Sequence, residues 1–206
     1  MTAPVRTLRF SPSLGDPTHV ARILDAPGVV RDGHFELLAG LHTDRFVAFS
    51  AVAGDAAALA QTVGWLLTTI AAWSPTVVVA PSTAGVALGS QLAERLQLRL
   101  VLATTDGTGR PTTMLNESSL RGHRALLVND VVTTGTSLRL LAELATGCGA
   151  EVCGATWFAS RTDIDVASLL NRPTAQITGL ELASWPPSEC RLCELGEPLE
   201  RAIDIN

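Results

Sequence analysis

The sequence predicts an α/β fold, in which helices cover both faces of an open, mostly parallel, twisted sheet. From residue 76 onward, short apolar runs without polar alternation are followed by segments with apolar residues at helical spacing. Continuous apolar runs of this length are typical of parallel strands that are buried on both faces. The regular alternation of strand and helix then favours a single sheet covered on both sides.

The N-terminal part shows a different pattern. Residues 16–25 predict a short helix, with Asp16 as its cap and Pro17 at its first position. Residues 35–50 predict two extended pieces about a turn near residues 40–44. We expect residues 1–50 to form a small cap over the ligand edge of the sheet.

The remaining elements follow in order, and we predict one domain over residues 1–206 with a C-terminal tail at 184–206, since no linker divides the chain. Predicted helices cover residues 56–72, 86–96, 137–146 and 164–171. Predicted strands cover residues 76–80, 98–103, 125–128, 152–159 and 177–182. The polar, glycine-containing residues 104–119 predict a long loop or a mobile hairpin.

Composition excludes several classes of protein. Hydrophobic residues make up 47% of the chain and charged residues 17%, which is typical of a globular protein. The net charge is −5 and no basic run is present, which argues against nucleic-acid binding. The apolar stretch at residues 63–73 is interrupted by threonines and is shorter than a bilayer span. We therefore expect a cytoplasmic protein that does not contact a membrane.

The segment that carries most chemical information is LLVNDVVTTGTS at residues 126–137. It combines a strand end, a small polar loop and a helix start. The first N–H groups of a helix lack internal partners and lie at the positive end of its dipole, so a phosphate binds there readily. Asp130, near the strand end, suits the hydroxyls of a ribose. The alternative is an ordinary strand-to-helix connection with a Thr or Ser cap.

This string closely resembles the motif with which type I phosphoribosyltransferases bind phosphoribosyl pyrophosphate (PRPP). In that family an acidic pair holds the ribose hydroxyls, and the following loop holds the 5-phosphate. The resemblance implies that the PRPP-binding residues are Asn129, Asp130, Val131, Val132, Thr133, Thr134, Gly135, Thr136 and Ser137. It also implies a pyrophosphate loop that consists of Pro81, Ser82, Thr83, Ala84 and Gly85.

Two further segments resemble bacterial orotate phosphoribosyltransferases. Residues 33–46, GHFELLAGLHTDRF, are similar to the N-terminal segment that contributes to the orotate pocket in that family. The tail, with WPPSECRLC at residues 185–193 and GEPLE at 196–200, resembles the C-terminus of one bacterial subgroup. The base-binding residues that this resemblance implies are Phe35, His42, Arg45 and Phe46.

The resemblance implies a reaction as well. The 5-phosphoribosyl group of PRPP would pass to orotate, giving orotidine monophosphate and pyrophosphate in pyrimidine biosynthesis. Asp130 and Arg110 would be catalytic. Mg²⁺ would be the cofactor, held mainly by substrate and water as is usual for that ion. The family also implies a homodimer.

Three features depart from the family's pattern, and the mildest is that Thr43 and Phe46 stand where Ser and Tyr are usual. Asn129 replaces an acid, and an amide lacks the negative charge that balances Mg²⁺ or an oxocarbenium ion. Residues 103–110, where the family carries Arg and Lys, contain Arg110 as their only basic residue, and the chain has no lysine. Three alternatives therefore remain: an orotate phosphoribosyltransferase, a catalytically weakened PRPP- or nucleotide-binding paralogue with a regulatory role, and a phosphoribosyltransferase for another base.

The spacing of Cys190 and Cys193 is that of half a zinc site. Cys148 and Cys153 are the other two cysteines of the chain, and they are the candidates to complete it. A redox pair is a further alternative, although disulfides are rare in cytoplasmic proteins. We expect no dedicated protein metal site, with zinc at Cys190 and Cys193 as a minority alternative.

Overall fold

The computed structural model of the chain describes residues 8–37, 39–83, 85–115 and 119–201. The strands are β1 (Phe10–Pro12), β2 (Val30–Glu36), β3 (His42–Val47), β4 (Val77–Pro81), β5 (Arg99–Thr105), β6 (Pro111–Met114), β7 (Arg124–Val128), β8 (Val131–Val132), β9 (Glu151–Ser160), β10 (Thr174–Leu180) and β11 (Glu200–Arg201). The helices are α1 (Pro17–Leu24), α2 (Phe49–Gly54), α3 (Ala56–Ile70), α4 (Val86–Leu96), α5 (Thr136–Gly147), α6 (Val166–Leu170) and α7 (Arg191–Glu194). The elements predicted from residue 56 onward are present, with ends that differ by a few residues.

The main sheet has eight strands in the order β1-β10-β9-β7-β4-β5-β6, and β8 also pairs with β9. Neighbouring strands from β10 to β5 in this order are parallel. The short strands β1 and β6 are antiparallel and form the two edges. The predicted open, mostly parallel sheet is confirmed, and the carboxyl ends of its central strands meet at one edge, where α/β sheets bind ligands.

Both faces of this sheet are buried, as the continuous apolar runs predict. Residues that alternate along β4 and β7 contribute to two different clusters. One cluster joins sheet residues to α3 and α4, with Val78, Ala80, Leu126, Val128, Val63, Leu66, Ile70, Leu88 and Leu92 among its members. The other joins the opposite face to α5, with Val77, Val79, Ala125, Leu127, Leu138, Leu141 and Ala145 among its members. The central strands are therefore closely packed on both faces.

A second, three-stranded sheet has the order β11-β2-β3, and we call it the hood. Strands β2 and β3 form an antiparallel hairpin, and β11 from the C-terminal tail pairs in parallel with β2. A bridge between His42 and Trp185 ties the tail to β3 through backbone hydrogen bonds of 2.7 and 2.8 Å. The segment expected to form a cap, residues 1–50, is therefore shared between two sheets. Strand β1 belongs to the main sheet, while β2 and β3 belong to the hood.

The predicted loop or hairpin at residues 104–119 contains an antiparallel pairing of β5 with β6. The turn is closed by Asp106, whose carboxylate accepts hydrogen bonds from the backbone N–H groups of Thr108 and Arg110 at 2.8 and 3.0 Å. Residues 116–118 lie outside the described residues. The turn presents Thr108, Gly109 and Arg110 at the carboxyl edge of the sheet.

Helix α3 and the 3₁₀ turn after it form an apolar stretch, Ala56–Trp73, of 18 residues with a mean hydropathy of 1.3. By length and composition this stretch reaches the minimum for crossing a membrane, and it is longer than the residues 63–73 considered from the sequence. One such helix is weak evidence for a span, because core helices pass the same test. Val63, Leu66 and Ile70 pack against the main sheet, which is what a core helix does.

Candidate active site

A cavity opens at the carboxyl edge of the main sheet, between that edge and the hood. The loops after β4, β5, β7 and β9 meet there, as expected for this type of sheet. The described residues that line it are Leu37, Ala39, Phe46, Val47, Pro81, Thr83, Thr108, Gly109, Arg110, Asn129, Asp130, Val131, Val132, Thr133, Thr134, Gly135, Thr136, Ser137, Leu138 and Arg161. All nine residues of the predicted PRPP motif are among them.

The loop before α5 is shaped as an anion site. Gly135 precedes the helix with a φ of 72°, a left-handed conformation that glycine adopts without strain. The hydroxyls of Thr134 and Thr136 lie 2.9 Å apart. Together with the first backbone N–H groups of a twelve-residue helix, they provide donors and a positive dipole end at one point of the cavity.

The Asn129–Asp130 pair is fixed by backbone hydrogen bonds to β9. The N–H of Asn129 donates to the carbonyl of Thr156 at 3.0 Å, and the carbonyl of Asp130 accepts from Phe158 N at 2.8 Å. The Asp130 side chain is buried, and this burial raises the pKa of its carboxyl group to about 6 despite the opposing hydrogen bond from the Val131 backbone. Asp130 is the acidic group among the described residues that line the cavity.

The predicted pyrophosphate loop reaches the cavity in part. Pro81 and Thr83 line it, Ser82 and Gly85 are not among the lining residues, and Ala84 lies outside the described residues. The N–H of Ser82 donates to the carbonyl of Ala103 at 2.7 Å, which attaches the loop to β5.

Arg110, predicted as catalytic, lines the cavity from the turn between β5 and β6. It is exposed at the mouth of the site. A cation in this position stabilises negative charge that develops on a leaving group, as far as solvent screening permits.

Of the four predicted base-binding residues, Phe46 lines the cavity and the other three do not. Phe35 is fully buried inside the hood, where its ring centroid lies 5.5 Å from that of Phe46. The Arg45 side chain extends to Asp32, with its Nε 3.2 Å from the carboxylate. His42 faces His34 and Cys193 instead of the cavity. The geometry therefore supports a direct contact with a base for Phe46 alone of these four.

Arg161 is the one charged residue in the described lining that the sequence did not predict as a site residue. It follows β9 directly, so it stands at the same sheet edge as the PRPP motif. Its guanidinium is 3% exposed and donates to the carbonyl of Arg45 at 2.9 Å and to the hydroxyl of Thr43 at 2.8 Å. Its Nε has no hydrogen-bond partner among the described residues. Burial lowers the pKa of Arg161 to about 10, opposed by the charge of Asp44, so the group remains a cation at neutral pH.

A buried arginine with an unpaired N–H donor costs folding free energy, unless a ligand accepts a hydrogen bond from that donor. The hood, to which the Arg161 guanidinium is hydrogen-bonded, contributes the apolar lining residues Leu37, Phe46 and Val47. The arrangement suits a flat ligand that carries an anionic group for Arg161. A signal for Arg161 was present in the sequence, since the residue after a predicted parallel strand belongs to the ligand edge.

The cysteines are arranged differently from the candidate set of four. Cys190 and Cys193 lie against His34 and His42 from the hood. Cys153 is in the core on β9, with its thiol 3.3 Å from the carbonyl of Ala125, and Cys148 ends α5. Cys148 and Cys153 therefore do not complete a site with Cys190 and Cys193, because one lies at the end of α5 and the other in β9.

Comparison with known proteins agrees with the presence of a PRPP motif in the cavity. The profile of the phosphoribosyl transferase domain family matches residues 52–174, more than half of the chain. The chain is 31% identical over 176 residues to an orotate phosphoribosyltransferase of Thermus thermophilus, a match that covers 84% of this chain and 93% of the relative.

Solved structures show the same fold. An orotate phosphoribosyltransferase from Aeropyrum pernix superposes with a TM-score of 0.63 at 23% identity, covering 76% of this chain and 91% of that chain. An adenine phosphoribosyltransferase from Rhodothermus marinus gives 0.62 at 19% identity, covering 78% and 98%. One neighbour is named for a pyrimidine and the other for a purine, so the fold does not decide the base. The extent of the family match and the identity to its members do decide the family: this chain is a type I phosphoribosyltransferase, a transferase enzyme.

Proposed function

We propose that the enzyme is an orotate phosphoribosyltransferase, which transfers the 5-phosphoribosyl group of PRPP to orotate and releases pyrophosphate and orotidine monophosphate. The observation that carries this proposal is Arg161, a buried guanidinium with an unpartnered Nε in the cavity that contains the PRPP motif. Orotate is a flat ring with a carboxylate, whereas adenine and uracil carry none. A charge-assisted hydrogen bond from a desolvated guanidinium would favour the anionic base.

The donor half of the site is supported by the loop before α5. We assign the 5-phosphate to residues 133–137, where the helix N-terminus and the hydroxyls of Thr134 and Thr136 supply donors. We assign the ribose hydroxyls to Asp130 and Asn129, and the pyrophosphate to Pro81, Thr83 and Arg110. With these assignments, the sugar phosphate is held by the carboxyl edge of the main sheet and not by the hood.

Mg²⁺ fits this cavity, because Asp130 is a buried carboxyl group beside the phosphate loop, and a cation nearby would favour its ionised form. Asp130 and the Asn129 amide oxygen are the residues we expect to hold the ion through ribose oxygens and water. When bound, Mg²⁺ neutralises charge on the pyrophosphate. The protein's own part is to orient PRPP and to place orotate with a ring nitrogen against ribose C1.

The expected rate is modest. A transition state with oxocarbenium character gains from nearby negative charge, and Asn129 supplies none. In the described part of the turn between β5 and β6, Arg110 is the basic residue that lines the cavity, and we assign it to the leaving pyrophosphate. The second candidate function, a PRPP- or nucleotide-binding paralogue with weakened catalysis, rests on these two residues.

A steady-state assay of orotate consumption with PRPP and Mg²⁺ tests the proposal, with uracil and adenine as alternative acceptors. Turnover of orotate at least tenfold above either alternative supports it. Turnover of adenine or uracil in place of orotate would refute it in favour of another base. PRPP binding by calorimetry without turnover of any acceptor would select the weakened paralogue. Asn129→Asp separates these outcomes further, since the added charge should raise kcat in an enzyme and change little in a binding module.

The family resemblance also supports a cytoplasmic homodimer. Light scattering on the purified chain tests this assembly. A monomer at the concentrations of the kinetic assay would contradict it, while the assignment of the donor half would stand.

A further inference from the structure

We propose that His34, His42, Cys190 and Cys193 bind one zinc ion, which fastens the C-terminal tail to the hood. The four side chains come from β2, β3 and the short helix α7 with its preceding residue. Their ligand atoms all lie within 4.8 Å of one another. The proposal is independent of the base that the enzyme accepts.

The distances match the edges of a tetrahedral site. With Zn–S bonds of about 2.3 Å and Zn–N bonds of about 2.0 Å, a tetrahedron has edges of about 3.3 Å between two nitrogens and about 3.5 Å between nitrogen and sulfur. His34 Nε2 and His42 Nδ1 lie 3.0 Å apart. The sulfurs of Cys190 and Cys193 lie 3.4 and 3.6 Å from His34 Nε2, and Cys193 Sγ lies 3.2 Å from His42 Nδ1. These four distances differ from the ideal edges by a few tenths of an ångström, and the two remaining distances, from Cys190 Sγ to Cys193 Sγ and to His42 Nδ1, are within 4.8 Å.

The orientation of His34 is that of a metal ligand. Its Nδ1 lies 2.9 Å from the carbonyl oxygen of Glu197, and a carbonyl only accepts, so Nδ1 carries the proton and donates it. The lone pair of a neutral ring is then on Nε2, the atom that faces the two sulfurs and the other histidine. Metal-bound histidines are typically fixed by this kind of hydrogen bond from the second ring nitrogen.

Hydrogen bonding within the cluster is a poorer account of the same geometry. Three groups converge on the single lone pair of His34 Nε2, namely His42 Nδ1, Cys190 Sγ and Cys193 Sγ. One lone pair satisfies one of them well, and His34, His42 and Cys190 are all at least 95% buried, where unsatisfied polar groups are costly. A central cation accepts all four lone pairs at once.

The donor set selects the ion and its role. Two thiolates and two imidazoles in a compact, closed arrangement favour Zn²⁺ over oxygen-preferring cations such as Mg²⁺. Four protein ligands leave no open position for substrate, so the site is structural. A disulfide between Cys190 and Cys193 would not explain why both histidines point at the two sulfurs. Both cysteines are free thiols in the structure.

The zinc would act on the hood as a staple. It would link residues 34 and 42 of the hood to residues 190 and 193 of the tail. In the described residues, the backbone of the tail is joined to the hood by the bridge of His42 to Trp185 and by the pairing of β11 with β2. The hood supplies Phe46 and Val47 to the cavity wall. Loss of the ion should therefore loosen the tail and the base side together.

The test uses the full chain, with any affinity tag removed, purified without chelator and analysed by mass spectrometry for bound metals. We expect about one zinc per chain, as a closed four-ligand site binds one ion. Cys193→Ser should lose most of the zinc, whereas Cys148→Ser, a matched cysteine change outside the cluster, should keep it. Chelator should lower the Tm of the unmodified chain and of Cys148→Ser, and should leave the Tm of Cys193→Ser unchanged.

Cobalt gives a readout that does not depend on the variants folding. Chain stripped of metal and titrated with Co²⁺ should develop intense visible bands and thiolate-to-cobalt charge transfer that saturate at one equivalent, as expected for a tetrahedral site with sulfur ligands. The proposal is overturned if stripped chain binds neither Zn²⁺ nor Co²⁺, if Cys193→Ser binds zinc as well as Cys148→Ser does, or if freshly purified chain contains a Cys190–Cys193 disulfide.

Discussion

The donor side and the base side of the cavity are built in opposite ways. The ribose-phosphate part of the donor side is one continuous segment, residues 129–137, which runs from the end of β7 through β8 into the first turn of α5. The base side is assembled from β3 of the hood and from Arg161 after β9, which are separated by more than 100 residues. A contiguous loop is fixed by local backbone geometry, whereas the base side depends on how two sheets meet. The two sides should therefore respond differently to substitution.

Arg161→Ala should have the largest effect, and it should be confined to the base side. Removing a buried cation that pairs with a ligand carboxylate costs about 2–5 kcal/mol, so kcat/KM for orotate should fall by roughly 30- to 5000-fold. The affinity for PRPP should change by less than about threefold, because the donor contacts are untouched. Steady-state kinetics and PRPP calorimetry on the same preparation give both numbers.

Two controls accompany this variant. Arg139→Ala removes an arginine that is exposed on α5 and pairs with Glu143, and it should leave both numbers unchanged. Arg161→Lys keeps the charge but not the fork of donors, so it should recover part of the orotate activity. An unchanged KM for orotate in Arg161→Ala, with native stability, would remove Arg161 from the base site.

Asp130 provides the largest effect on the donor side, and it depends on pH. Because burial raises the pKa of Asp130 to about 6, the free enzyme should lose its ribose-binding carboxylate as the pH falls below that value. The kcat/KM for PRPP should then decline towards about tenfold per pH unit. Asp130→Asn should lower kcat/KM at pH 7.5 by roughly 100-fold and should flatten this limb of the profile. A profile that keeps its acidic limb in Asp130→Asn would assign the titration to another group.

The same group should act on stability with the opposite sign. Its folded-state pKa of about 6 lies above the ordinary value of 3.8, so between these pH values the folded chain holds more protons than the unfolded chain. Stability then falls as the pH rises from about 4 to about 6, by up to about 3 kcal/mol at 1.4 kcal/mol per pKa unit. Urea unfolding across this range should show the decline in the unmodified chain and a smaller one in Asp130→Asn. Equal slopes in the two chains would contradict it.

The contrast between the two sides also explains what the sequence could predict. The alternation of strands and helices predicted the main sheet. One contiguous motif predicted nine of the residues that line the cavity, since neighbours in the chain remain neighbours in the site. Arg161 was missed although its position after β9 was predictable. His42 was assigned to the base, but periodicity does not reveal that β2 and β3 shift register between Asp32 and Phe35 or that a tail about 150 residues away supplies its partners.

Gly135→Ala should test how far the donor side depends on local backbone geometry. A side chain at a φ of 72° costs about 1–2 kcal/mol, and the added Cβ would lie 2.6 Å from Leu169 Cδ2. Leu169 is partly exposed and can move, so the backbone cost should dominate. We expect PRPP affinity to fall by about tenfold, since 1.4 kcal/mol is a factor of ten, while the preference for orotate over uracil is retained.

Gly147→Ala is the matched control in the same helix, because no positive φ is found there and a Cβ would meet open space. It should stabilise the protein by about 0.5–1 kcal/mol and leave PRPP affinity unaltered. Equal PRPP affinities in the two alanine variants would show that the loop conformation at Gly135 is not what binds the phosphate.

Thr43 should give the smallest effect and the sharpest test of the base side, because it acts through Arg161. Its buried hydroxyl accepts from the guanidinium at 2.8 Å and lies 2.8 Å from the carbonyl of Ala183, so it holds the cation against the hood. Thr43→Val removes this acceptor and should raise the KM for orotate by roughly 3- to 10-fold, on the scale of one lost hydrogen bond of about 1 kcal/mol. The kcat at saturating orotate should change by less than about twofold if the residue only positions Arg161 for binding.

Thr43→Ser keeps the hydroxyl and loses the methyl group, so its KM for orotate should stay near that of the unmodified chain. If Thr43 acted only through packing, Thr43→Ser would raise this KM and Thr43→Val, which has nearly the same shape as threonine, would not. If Thr43→Val instead lowers PRPP affinity as strongly as orotate affinity, the two sides of the cavity are coupled through the hood. The difference in their construction would then not translate into a difference in function.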